Sequence, residues 1–72
     1  MKAGDYILIT DCNDNNYLRI GEILDVTHKG MSEGIVGFDI TFGEVSHYGA
    51  LVVKTYTDAE LEGKCKVLKF TE

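Results

Sequence analysis

The sequence predicts an all-β domain, a small five-stranded barrel with one short helical turn between the fourth and fifth strands. Three observations point there. Val36, Phe38, Ile40 and Phe42 alternate with Gly37, Asp39 and Thr41, the period of a strand with one buried and one solvated face. A second stretch, Arg19 to Thr27, alternates in the same way except at Ile23, which falls out of step just after Gly21. One extra residue at Gly21 would turn Ile23 onto the face of Ile20, so a bent second strand is expected, with its bulge at the glycine. Finally, Thr57 followed three residues later by Glu60, with Gly63 beyond, has the spacing of a capping box and a helix stop.

Size and composition set the frame. Seventy-two residues suffice for one domain, residues 1–72, with a core of about a dozen side chains. There is no apolar run of about 18 residues, and the Met-Lys-Ala-Gly-Asp start has no h-region, so neither a membrane span nor a signal peptide is expected. The expected compartment is the cytoplasm. Cys12 and Cys65 are too few for a disulfide framework and form no Cys-x-x-Cys pair, so reduced, buried thiols are expected.

The first strand is expected from Tyr6 to Cys12, launched by the Gly4-Asp5 turn, with Ile7 and Ile9 competing against Tyr6 and Leu8 for the buried face. The polar loop DCNDNN follows, rich in residues that make side-chain turns. In the second strand Leu18, Ile20, Leu24 and Val26 share one parity. Residues 29–34 connect to the third strand, Ile35 to Phe42, and a turn at 43–49 leads to the fourth, Ala50 to Tyr56. The TDAELEG stretch supplies the helical turn, anchored by Leu61, and Lys64 to Phe70 the fifth strand. Val36, Phe38, Ile40, Phe42, Ile20, Val26 and Leu61 are expected in one core.

This order of elements resembles a small SH3-like barrel. Gly4-Asp5 followed by Ile7 and Ile9, then Gly21, Ile23 and Val26, is similar to the G-D-x-V-x-V and G-x-V-x-x-V pattern of KOW-type barrels. The acidic turn Asp58-Ala59-Glu60-Leu61 after an aromatic-containing strand resembles the photosystem I PsaE-like accessory subunits. These resemblances imply a nucleic-acid-associated module in the first case and an accessory subunit of a redox complex in the second. Signalling SH3 domains are less similar: the A-L-Y-D-Y stretch is missing and the chain has no Trp, so reading of proline-rich peptides in their manner is not expected.

Catalytic chemistry has little support in the pattern of residues. His28 and His47 are expected in separate loops, without metal-ligand spacing or a cysteine pair beside them. No glycine run has the form of a phosphate cradle. The sharpest chemical alternative is calcium: Asp11, Asn13 and Asn15 stand at alternate positions, and Glu22 lies where an EF-hand loop has its twelfth residue. Against it, Asn16 replaces the glycine, Arg19 brings a positive charge, and the flanks read as strands. A hydrogen-bonded turn without metal is the simpler expectation, and no cofactor is called for.

The net charge of −5 disfavours a protein that binds nucleic-acid backbone. Lys64, Lys66 and Lys69 form the one candidate basic stripe, which would equally protect an exposed sheet edge. What remains is a non-enzymatic protein-binding module or inhibitor, of the size a phage or mobile element would encode. It would meet a partner with a basic surface through Tyr17, Met31, His47 and Tyr48, residue types favoured at interfaces.

Overall fold

A computed structural model of the chain describes residues 1–28 and 34–69. Five antiparallel strands form one curled sheet, a half-barrel: β1 (Tyr6–Ile9), β2 (Ile20–His28), β3 (Ile35–Thr41), β4 (Lys54–Thr57) and β5 (Cys65–Leu68), with helical turn α1 (Asp58–Leu61) between β4 and β5. The order across the sheet is β4-β3-β2-β1-β5, so the first and last strands are neighbours. Among the described residues no helix is long and apolar enough to cross a membrane. Met31 and Phe70 lie outside the described residues.

The core is small and drawn from every element. Ile7 and Ile9 of β1, Ile23 of β2, Phe38 and Ile40 of β3, Tyr56 of β4 and Leu61 of α1 are buried, with Val26, Ile35, Phe42, Cys65 and Val67 packed around them. In β1 the competition is resolved in favour of the isoleucines, and Tyr6 faces out. Two core assignments change. Ile20 is 52% and Val36 40% exposed.

Both corrections come from where the bulges sit. Gly21 is in regular register opposite Ile7, and the shift falls instead between Ile23 and Asp25, making Leu24 the extra residue. Ile23 therefore shares the inward face with Gly21, by ordinary alternation, and Ile20 points outward. Beyond the bulge, Val26 comes back to the inside, opposite Phe38. A second shift, between Thr27 and His28, leaves Val36 as the extra residue of β3 and explains its exposure. Gly21 instead permits close packing. A Cβ there would lie 2.6 Å from Ile40 Cγ2 and 2.8 Å from Phe42 Cε1, so these two side chains occupy the space a side chain would need.

Strand ends are shorter than expected. β1 stops at Ile9, leaving Cys12 exposed in the loop instead of buried in a strand. β4 begins at Lys54, because Leu51 to Val53 belong to a hairpin closed by the Val45–Leu51 bridge. The helical turn is as expected. Thr57 Oγ1 accepts from Glu60 N at 3.1 Å and Glu60 Oε1 accepts from Thr57 N at 2.9 Å, a reciprocal capping box, and Leu61 is buried beneath it.

The two thiols are free. Cys65, opposite Ile9 and 4.0 Å from Met1 Sδ, is partly covered, and burial pushes its thiol above the usual range. Fewer thiolates form there at a given pH, and access is poorer. Alkylation at pH 8 is expected to label Cys12 first and Cys65 slowly, with two labels after denaturation without reductant. Equal native rates, or a denatured species two hydrogens lighter that refuses the label, would contradict this.

Candidate functional site

Two loops extend from the same side of the sheet, and one ion pair ties them together. The first runs from β1 to β2. Asp11 Oδ1 accepts from Asn13 N at 3.0 Å, and Asp14 Oδ1 accepts from Asn16 N at 2.7 Å, the side-chain turns that Asp and Asn favour. The loop is anchored from β4: the Tyr56 hydroxyl donates to Asp14 Oδ2 at 3.1 Å and accepts from Asn16 Nδ2 at 3.2 Å. Tyr56 is itself in the core, so these bonds fix the loop to the buried part of the fold.

The second loop joins β3 to β4. Ser46 N donates to Ala50 O at 2.7 Å and Val52 N to Glu44 O at 2.9 Å, while Ser46 Oγ accepts from Ala50 N at 3.1 Å. Gly49, with φ of 82°, lets the tip reverse. The result is a short ordered hairpin whose apolar side chains face water. Tyr48 is 93% exposed, with Val45, Leu51, Val52 and Val53 also exposed. The His47 ring meets Tyr48 edge-on at 5.6 Å.

Arg19 joins the loops. Its guanidinium pairs with Glu44, donates a 3.1 Å bond to Asn16 Oδ1, and sits 5.7 Å from the Phe42 ring centroid. A groove of about 240 Å³ lies between the loops, with Phe42 and Val52 as its apolar lining, Asn15 and Asn16 on one side and Glu44 and Lys54 on the other. That is below the roughly 300 to 1,000 Å³ of small-molecule sites and suits one inserted side chain.

Of the expected partner-binding residues, Tyr17 lies exposed on the first loop, and His47 and Tyr48 form the tip of the second. Met31 falls outside the described residues. Sequence pattern does not single out Arg19, Leu18, Phe42 or the Val45 and Leu51 to Val53 side chains as parts of this surface. Leu51-Val52-Val53 reads as strand by propensity, and the only available signal is the glycine pair, Gly43 and Gly49, marking a tight hairpin just before it.

The lysine stripe is less uniform than its spacing suggests. Lys66 is exposed on the edge strand β5, but Lys64 shares a depression with Asp11, Asp14 and Glu60. Glu60 is held below the usual carboxylate range, first by the hydrogen bond from the Thr57 backbone, then by the Thr57 hydroxyl and the nearby Lys54 and Lys64 charges. Lys69 lies at another depression, beside Lys2 and Asp5.

The calcium arrangement is not assembled. Asp11, Asn13 and Asn15 border the depression with Lys54 and Lys64, whereas Glu22 is in β2, opposite Tyr6 and Thr41. Among the described residues no group of three or more His, Cys, Asp or Glu side chains is placed to hold a metal ion. Comparison of the chain with protein-family models, curated proteins and solved structures finds no match.

Proposed function

We propose that this chain is a non-enzymatic protein-binding module, an adaptor or inhibitor of the kind a phage or mobile element would use, acting through its two joined loops on a partner with a basic surface. One observation carries the reading. Residues 45–53 contain no Asp, Glu, Lys or Arg in a chain of net charge −5, and they hold Tyr48 almost wholly in water on an ordered hairpin. An aromatic side chain so exposed gains a large apolar area when a partner covers it, at little cost in ordering its rigid ring. The acidic surround favours encounter with a basic partner and sets the salt dependence of the on-rate. The strand order and the helical turn before β5 support an SH3-like barrel as the scaffold.

The test is capture of partners on the immobilised chain at about 150 mM salt, followed by titration of each purified partner with two double variants. Tyr17→Ala with Tyr48→Ala is expected to weaken binding by at least about tenfold, a hot-spot loss of more than about 1.4 kcal/mol. Lys64→Glu with Lys66→Glu is expected to stay within about twofold. The reverse result, with nucleic acid retained and an affinity falling by about 2.7 decades per decade of salt, would replace this reading by the KOW-like one that uses Lys64, Lys66 and Lys69.

A further inference from the structure

We infer that Leu18, held in a left-handed backbone conformation and turned to solvent, is a binding residue for a protein partner that offers an apolar segment flanked by lysine or arginine. The inference rests on the protein-binding reading and adds to it a residue and the partner's chemistry. Leu18 has φ of 64°, and among the described residues it is the one non-glycine with positive φ. Gly4, Gly43, Gly49 and Gly63 hold the other such positions, with φ between 71° and 94°. The region is strained for a residue with a Cβ, and for a γ-branched side chain the strain must be offset by something else.

Packing does not offset it. Leu18 is 61% exposed. The turn itself has a clear purpose, since Arg19 N donates to Asn16 O at 2.9 Å, Leu18 N to Ile9 O at 2.9 Å and Ile9 N to Arg19 O at 3.1 Å, which sets the β1–β2 register. Those bonds are made by backbone, and glycine or asparagine would make them with less strain. The fold therefore needs the turn and not the leucine. The side chain presents an apolar surface next to Tyr17, itself 44% exposed. Residues 11–18 carry Asp11 and Asp14 and no Lys or Arg; Lys54 and Lys64 share a depression with these two carboxylates and with Glu60, which leaves it net acidic, and Arg19 just beyond the loop is paired with Glu44. An apolar side chain in an acidic loop is complementary to an apolar segment flanked by basic residues.

The experiment pans a displayed library of random peptides on the immobilised wild-type chain, then measures the enriched peptides against variants. Leu18→Gly and Leu18→Asn are expected to keep or raise the melting temperature while weakening the peptides by at least about tenfold. The enriched peptides are expected to carry Lys or Arg beside apolar residues, and Lys66→Glu to bind them as wild type does. Undiminished binding to Leu18→Gly overturns the inference, and a melting temperature lowered in both Leu18 variants does so too, since the leucine would then be structural. If Tyr17→Ala with Tyr48→Ala abolishes binding and Leu18→Gly does not, only the role of Leu18 falls. If neither matters, if the peptides lack basic residues, or if panning enriches nothing, the protein-binding reading falls with it.

Discussion

Phe38→Ala is expected to lower the unfolding free energy by about 3 to 5 kcal/mol, the usual loss when a buried phenylalanine is truncated. Phe38 is 1% exposed and lies between Val26 of β2 and Tyr56 of β4, its cross-strand neighbours. A domain of this length has roughly 4 to 11 kcal/mol of stability to lose. The melting temperature should fall by at least about 12 °C, or the variant should fail to fold. Circular dichroism during heating reads either outcome, and a wild-type melting temperature would remove Phe38 from the core.

Gly21→Ala is expected to destabilise the fold markedly, although it adds a single methyl. The backbone there is ordinary strand, so no conformational strain is involved; the cost comes from the Cβ meeting Ile40 Cγ2 at 2.6 Å and the Phe42 ring at 2.8 Å. Overpacking of this kind costs about 1 to 3 kcal/mol. Removing the obstructing methyl should relieve it, so that Gly21→Ala combined with Ile40→Ala costs less than the two changes added together. Denaturant midpoints measure both. Strict additivity would show that the sheet yields at Gly21 without the Ile40 contact.

The fold is legible in the sequence where its causes are local. The capping box of Thr57 and Glu60 lies within one turn of chain, and the burial of Phe38 and Ile40 follows from the plain alternation of β3. The bulges are not legible, because Leu24 and Val36 become extra residues only in relation to the strand opposite them. A one-residue slip moves every side chain beyond it to the other face, so an error in placing the bulge carries Ile20 and Val36 to the wrong side with it. Gly21 signals close approach as readily as it signals a bend, and sequence alone does not say which.

The site is legible only in part. Tyr17, His47 and Tyr48 stand out as residue types suited to interfaces, and they are exposed on the two joined loops. The joining itself depends on Arg19 reaching Glu44 across 25 positions and on Tyr56 reaching Asp14 across 42, pairings that no local pattern encodes. Cys12 defies its sequence context because the polar loop begins at once after β1, and the strand that would have buried the thiol ends at Ile9.

We propose that the joined loops, and not the lysine edge, meet the partner. Amide hydrogen exchange with and without a purified partner tests it most directly, because it reports which backbone groups the complex covers. Protection is expected at residues 13–19 and 44–53, with the β5 amides of Cys65–Leu68 unchanged. Protection confined to Cys65–Leu68, with both loops exchanging as in the free chain, would contradict it.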